Sequence, residues 1–342
     1  MSIEDTSRID TTSAREYVST DTATPAPKAA RKPQKKRITA TPILHFLSTQ
    51  EFASPFDINM AVDAGYRVVV PHINVKLSNT TALVQDAIFS RPPHFGCRTG
   101  LFIGGKDAML ALDMLDAAKA ALVPPFQLSA LADPGGSFTT AAAMVACVEN
   151  VFKRETKRSL DGATVAVFGA TGVVGFAAAI ICALSGAKVK VITHIGLDAI
   201  QPTVKEAKRR FGVKLEPVLG ARDSDKVKIL SGVDIALCAA AAGIRVLKDE
   251  SFAKVKRPLI VADVNAVPPS GIEGVELFDM GKRFGKKPIW SVGPLAIGDI
   301  KYKTQSALLR RMTQSEASLF FDFNDAFAMA RDLVAKANRK TK

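Results

Sequence analysis

The feature that most restricts this chain is an apolar run, residues 163–168, that passes straight into Gly169-Ala170-Thr171-Gly172-Val173-Val174-Gly175. A buried strand that ends on glycines and turns at once into an apolar helix, expected over 173–185, opens a parallel β-α-β unit. The GxxGxxG spacing is weak alone. It gains meaning from the strand before it, the helix after it and a second strand expected at 188–192. In that setting Gly169 makes the tight turn, Gly172 lets backbone approach a pyrophosphate, and Gly175 lets helix and strand pack closely. The unpaired N–H groups at the helix start favour an anion. Gly169, Thr171, Gly172, Val173 and Gly175 are therefore the candidate nucleotide-binding residues, and a purely structural glycine turn is the alternative.

The same alternation runs through the chain. Strands are expected at 43–47, 67–70, 101–103 and 126–132, with helices over 55–64, 80–89, 107–122 and 139–153. After the glycine loop come a helix over 198–211 and strands at 234–238 and 259–264, then helices over 300–318 and 321–337. Strands alternating with helices imply parallel sheets, so the fold class is α/β with two domains. Residues 41–155 form an N-terminal α/β substrate domain, and 156–299 a Rossmann-type doubly wound NAD(P)-binding domain. The helices within 300–338 are expected to pack back on the first domain.

The end of the strand after the glycine loop bears on the nucleotide. An acid there would bind a ribose 2′-hydroxyl and repel a 2′-phosphate. This chain has Ile192-Thr193-His194 and no carboxylate until Asp198. That reading favours NADP, or use of both NADP and NAD, with Thr193 and His194 as candidate contacts.

Three other segments read as cleft walls. Asp133-Pro134-Gly135-Gly136-Ser137-Phe138-Thr139-Thr140 passes from strand to helix and would either cradle a ligand or serve as a turn with a cap. Asn265 follows a buried strand, where open α/β sheets bind ligands. Ser54-Pro55-Phe56-Asp57 is close to a capping box, so Asp57 either starts a helix or faces a ligand. Lys301 and Gln305, four apart, share a helix face. Lys301 also falls where a helix start is expected, a place the dipole disfavours for a cation. That points to a ligand, with a solvated surface lysine as the alternative.

Charge adds a constraint. With 46 Lys and Arg against 33 Asp and Glu the formal net charge is +13, which raises nucleic acid, anionic membranes and anionic small molecules as partners. Residues 1–40 contribute +3 through a Pro- and Lys-rich extension expected to be disordered. Lys282, Arg283, Lys286, Lys287, Lys301, Lys303, Arg310 and Arg311 crowd 281–311, beside the expected cleft, and suit anionic cofactors. No apolar run approaches the ~20 residues of a membrane span. The four cysteines and four histidines show no metal-ligand spacing, so no metal is expected and reduced thiols in a cytoplasm are.

What is missing narrows the chemistry. None of Tyr17, Tyr66 and Tyr302 is followed four residues later by Lys. No His–Asp dyad stands out for oxidising an alcohol. A hydride transfer that removes no proton needs no general base, and oxidation of a carbon between two nitrogens is such a reaction.

Taken in order, Pro55–Tyr66, Leu101-Phe102-Ile103-Gly104-Gly105, the loop 133–140, Gly169–Gly175, 262–269 and 295–302 resemble bacterial NAD(P)-dependent methylenetetrahydromethanopterin dehydrogenases. The resemblance covers about residues 41–338 and is closer to the branch that handles both NAD and NADP. It implies hydride transfer from the methylene carbon of the carrier to a nicotinamide, giving the methenyl cation, within one-carbon oxidation of formaldehyde. It implies a trimer-type homo-oligomer. By residue match it implies that Phe56 packs on the pterin, Thr140 lies in the substrate cleft and Lys301 is the active-site lysine; Asp57, Asn265 and Gln305 remain candidate substrate contacts from their own positions in the sequence. Gln305 replaces a histidine of the NADP-only branch, and Thr193 stands where the dual branch has an acid. The alternatives are a methylenetetrahydrofolate dehydrogenase, which shares the reacting ring, and a nucleotide-sensing protein that binds nucleic acid.

Overall fold

The computed structural model describes residues 40–340, so the extension expected to be disordered lies, apart from Ala40, outside the described residues. The described residues all fall in one compact unit. Its first sheet holds β1 (Ile43–Ser48), β2 (Val68–His72), β3 (Thr99–Gly104), β4 (Ser129–Ala132) and the short β12 (Phe320–Phe321). The order is β2-β1-β3-β4-β12, and every neighbouring pair is parallel. All residues of β3 and β4 are buried, as in a strand covered on both faces, which is why these segments read as unbroken apolar and small runs. The helices of this half are α1 (Pro55–Asp63), α2 (Leu77–Phe89) and α3 (Ala108–Ala120).

The second sheet holds β5 (Thr164–Phe168), β6 (Lys188–Thr193), β7 (Leu215–Leu219), β8 (Ile235–Cys238), β9 (Leu259–Asp263), β10 (Met280–Arg283) and β11 (Ile289–Val292). Read from β7, the order is β7-β6-β5-β8-β9-β11-β10. The first six strands are parallel, and only β10 runs against its neighbour. This is the 3-2-1-4-5-6 order of a doubly wound dinucleotide fold, with one hairpin strand added at the edge. Its helices are α5 (Val173–Leu184), α6 (Leu197–Phe211) and α7 (Asp223–Ser231). The chain is thus α/β, with parallel sheets, as the alternating pattern predicts.

Three long helices, α4 (Ser137–Thr156), α8 (Pro294–Gln314) and α9 (Phe323–Lys340), link the sheets. Buried alanines 141, 142, 143 and 146 on α4 leave room for helices to approach it, and α5, α8 and α9 all pack on it. Phe323 meets Phe138 of α4 at 5.2 Å and Phe211 of α6 at 5.4 Å, edge to face. On the opposite flank Arg210 of α6 forks onto Asp113 and Asp116 of α3. α8 touches α1, β3 and β4, so it carries residues beneath the first sheet's loops.

The sequence pattern does not separate β7, α7, the β10–β11 hairpin or β12, because each is short, and α7 and the hairpin are rich in charge. It also placed the start of α8 too late. Gly293 is the N-cap residue and Pro294 occupies the first turn, the position where a proline fits a helix, while Gly298 inside the helix had made the stretch resemble a loop. Lys301 therefore lies two turns inside α8, and the dipole argument for it does not apply.

Candidate active site

In each sheet the strand order reverses once, between β1 and β3 in the first and between β5 and β8 in the second, and ligands of open α/β sheets bind at such points beyond the strand ends. The loop after β1 delivers Ser54, Phe56 and Asp57. Ser54 caps α1, accepting from the Asp57 N–H at 3.3 Å, and Pro55 fixes the first turn. The loop after β4 delivers Gly135 and Gly136, both at positive φ, +58° and +67°. Together with Lys301 of α8 they line a cavity of about 710 Å³, whose rim carries Phe278, Leu295 and Tyr302. That volume suits a ligand of several rings.

The cavity floor is a chain of buried polar groups. Lys301, 8% exposed, donates from Nζ to Gln305 Oε1 at 2.5 Å. Gln305, with no exposed surface, donates from Nε2 to Asp57 Oδ1 at 2.7 Å. The two bonds fix the amide orientation of Gln305, because each end of it meets a charged group of matching sign. The Phe56 ring, 48% exposed, lies with its centroid 3.9 Å from Lys301 Nζ, and both side chains line the cavity. Burial pushes Lys301 below the usual lysine range, while the charges of Asp133 and then Asp57 pull it back up. Burial pushes Asp57 above the usual carboxylate range, opposed by the Gln305 bond and by Lys301.

Lys301 packs closely on the Gly136 turn: a Cβ there would stand 3.0 Å from Lys301 Nζ, so a side chain at 136 would press on the ammonium. Thr140, one turn into α4, is half-buried and donates to the Gly136 carbonyl at 2.7 Å, pinning the same turn. Beneath it lies Asp133, with no exposed surface. Its Oδ1 accepts from the Phe138 and Thr139 N–H groups at 2.9 and 3.1 Å, and its Oδ2 from the Thr139 hydroxyl at 2.6 Å. Sequence reasoning did not single out Asp133. The signal available was an acid directly before Pro-Gly-Gly, which reads as a turn.

The glycine loop sits at the reversal point of the second sheet. A Cβ on Gly169, at φ +85°, would meet the Ala239 carbonyl oxygen at 2.4 Å, and one on Gly175 would meet that of Gly169 at 2.4 Å. Gly172 differs, since only Gly169 O comes near its Cβ position, at 3.5 Å. It is the N-cap residue of α5 and gives the helix start no side-chain hydrogen bond, which leaves the first N–H groups of α5 facing outward for an anion. These residues fit a dinucleotide pyrophosphate. Thr171, Gly172 and Val173 line a second cavity, about 530 Å³, closed by Lys106 before α3 and by Pro202 and Arg209 of α6. A Cβ built on Gly135, which lines the first cavity, would stand 3.4 Å from the carbonyl oxygen of Gly105, the residue before Lys106 of the second.

Three expectations meet corrections here. Asn265 is not brought to the cavity: its side chain donates to the Pro269 carbonyl and accepts from the Val267 N–H, closing its own loop. The Thr193 hydroxyl is likewise committed, donating to Gly196 O at 3.0 Å, whereas His194 is exposed at the end of β6. The basic cluster does not border the cleft as a whole. Lys282, Arg283, Lys286 and Lys287 line a separate concavity at the β10–β11 hairpin. Within the cluster Lys282, Lys287 and Lys303 pair with Glu276, Asp249 and Asp299, and only Lys301 reaches the cavity floor. Among the described residues no group of three or more His, Cys, Asp or Glu is placed to hold a metal.

Known proteins resemble this chain along nearly its whole folded length. Residues 55–135 match the family described as "Methylene-tetrahydromethanopterin dehydrogenase, N-terminal". An NAD(P)-dependent methylenetetrahydromethanopterin dehydrogenase of Methylorubrum extorquens is 42% identical over 297 residues, covering 86% of this chain and 99% of that protein. The "Bifunctional protein MdtA" of the same organism is 30% identical over 292 residues, covering 85% and 99%. A solved shikimate 5-dehydrogenase of Listeria monocytogenes aligns over 89% of this chain and 100% of its own at 13% identity, with a TM-score of 0.46.

Proposed function

The chain belongs to the NAD(P)-dependent methylenetetrahydromethanopterin dehydrogenase family, and from that premise we propose how its own residues carry out the reaction. The enzyme moves a hydride from the methylene carbon of methylenetetrahydromethanopterin to NAD(P)+, giving the methenyl form. The observation that carries this reading is the buried chain Lys301–Gln305–Asp57 beside an exposed Phe56 ring in one cavity of a chain that also carries a dinucleotide loop.

When bound, the oxidised nicotinamide supplies the hydride acceptor. The backbone of Gly169, Thr171, Gly172, Val173 and Gly175 holds the pyrophosphate at the α5 start. The end of β6 at Thr193 and His194 presents no carboxylate to the adenosine ribose, so a 2′-phosphate meets no fixed negative charge, and NADP is the preferred form with NAD accepted. On the substrate side Phe56 offers an aromatic face to the flat pterin, and the Thr140 hydroxyl, held on Gly136 O, borders the carrier at the α4 start. Lys301 stands at the reacting ring. No proton leaves the substrate, so the task of these groups is orientation and charge. Gln305 and Asp57 keep the ammonium in one place, and the dry floor strengthens each of these fields.

We place the reaction in one-carbon oxidation in the cytoplasm, in a homo-oligomer of the trimer type. Among the described residues no helix is long and apolar enough to cross a membrane. The test is nicotinamide reduction with methylenetetrahydromethanopterin and with methylenetetrahydrofolate, each with NADP+ and NAD+. Reduction with the methanopterin carrier supports the reading; reduction with the folate carrier alone assigns the enzyme to the folate reaction instead.

A further inference from the structure

One fully buried ionisable group next to the cavity has no part in the reaction as derived so far: the carboxylate of Asp133. It is tied to the α4 start by three hydrogen bonds, a role a neutral side chain could also fill. Its neighbours make the charge notable. The turn it anchors, where the Gly136 N–H donates to the Asp133 carbonyl, lies against Lys301, since a Cβ on Gly136 would stand 3.0 Å from Lys301 Nζ, and the charges of Lys301 on α8 and Asp57 on α1 both reach its carboxylate. Two further titratable groups lie on the packed helices: Asp299 of α8 lines the cavity but is paired with Lys303 and so adds no net charge, and burial pushes the Cys147 thiol of α4 up to about 12 and keeps it neutral, while α4 also contributes the Thr139 hydroxyl. The cluster therefore holds two carboxylates against one ammonium. With all three ionised its net charge is −1, beside a ring that gains a positive charge during reaction.

Resting on the reading of the site as a methylene carrier dehydrogenase, we propose that Asp133 is a positioning residue that sets the charge of the site. Acting through Lys301 and the Gly135–Gly136 turn, it leaves the floor net negative, so that the cavity favours the cationic methenyl ring over the neutral methylene ring. The balance of the step shows why this matters. The C–H bond of the methylene carbon breaks and its electron pair leaves with the hydrogen to form a C–H bond on the nicotinamide. The carrier is oxidised by two electrons, the nicotinamide is reduced by two, and no proton is exchanged. The positive charge thus moves from the nicotinamide to the carrier, toward Asp57, Asp133 and Lys301. A fixed negative charge in a dry site favours that movement and is already oriented before it begins. Burial pushes the Asp133 carboxyl up to about 6, so the charge is present at neutral pH and is lost in mild acid.

The experiment measures binding of the methenyl and methylene carriers to the full-length protein without nucleotide, from pH 5 to 8, alongside the single-turnover hydride rate with nucleotide. In the wild type the preference for the methenyl form weakens as pH falls through about 6. Asp133→Asn, which keeps an acceptor for the α4 start, lowers the preference at pH 8 by about tenfold or more and makes it flat with pH. Thr139→Val, nearly the same shape, removes the hydroxyl donor to the carboxylate and moves the transition to higher pH, and it serves if the asparagine variant does not fold. An unchanged preference in Asp133→Asn, an unmoved transition in Thr139→Val, or a transition that vanishes only in Asp57→Asn overturns the proposal. If the wild type binds neither carrier, it is the reading of the site that fails.

Discussion

Lys301 and Gln305 stand one turn apart on α8, and the ammonium of the first donates to the side-chain oxygen of the second at 2.5 Å. The far end of the same amide reaches Asp57 at 2.7 Å, so one uncharged residue joins a cation on α8 to an anion on α1 without letting them touch. A direct ion pair would hold the lysine against the carboxylate and away from the cavity. The amide spaces them and keeps Lys301 under Phe56.

Gln305→Leu fills a similar volume but leaves both charged groups buried without their shared partner. Unfolding free energy is expected to fall by about 1–3 kcal/mol, the cost of such unpaired groups. The rate should fall as well, since Lys301 loses its fixed place. Chemical denaturation beside steady-state kinetics checks both.

The glycine loop supplies a contrast between two alanine variants. Gly175→Ala sets a Cβ 2.4 Å from a backbone oxygen, whereas Gly172→Ala meets only one atom, at 3.5 Å. The first is expected to lower thermal stability through displacement of α5 from β5. The second is expected to fold normally yet weaken nucleotide binding by tenfold or more, because its Cβ occupies the approach of the pyrophosphate. Calorimetric binding and thermal melts of the two variants separate these effects.

Nucleotide choice is expected to follow the end of β6. Thr193→Asp places a carboxylate where a 2′-phosphate would lie, so the affinity for NADP+ should fall about tenfold or more relative to NAD+. The ratio of the two dissociation constants checks it. An unchanged ratio would move the 2′-phosphate contact elsewhere.

Asp133 also leaves a mark on stability. Its folded carboxyl sits at about 6, against an ordinary value of 3.8. Between those values the native state keeps a proton that the unfolded chain has released, so stability falls as pH rises through that window, and the loss is complete above about pH 6. The linkage amounts to about 2 kcal/mol between pH 4 and pH 8. Denaturation curves of Asp133→Asn over that range should lack this component, so the variant gains on the wild type as pH rises.

Much of the fold was legible because its signals are local. The strand, glycine loop and helix at 163–185 appear as expected, and the central strands β3 and β9 announce themselves by unbroken apolar runs. The site was legible as residues but not as a circuit. Phe56, Asp57, Lys301 and Gln305 were singled out, yet the bond between Gln305 and Asp57 spans 248 positions, and no local pattern reports it. Asp133 stayed hidden because an acid before Pro-Gly-Gly reads as a turn, and only burial reveals its charge. The basic stretch 281–311 misled for the opposite reason. Charge density in sequence does not say which face a side chain takes, and the hairpin carries Lys282, Lys286 and Lys287 to a concavity of their own.

The most direct test of the account follows the hydrogen itself. Methylenetetrahydromethanopterin carrying two deuteriums on the methylene carbon is incubated with the enzyme and NADP+, and the reduced nucleotide is analysed by mass spectrometry. The account predicts one deuterium per nucleotide reduced, none exchanged with solvent, and a single-turnover rate about 100-fold lower in a folded Lys301→Ala variant. Reduced nucleotide without deuterium, or no reduction with either nucleotide, would contradict it.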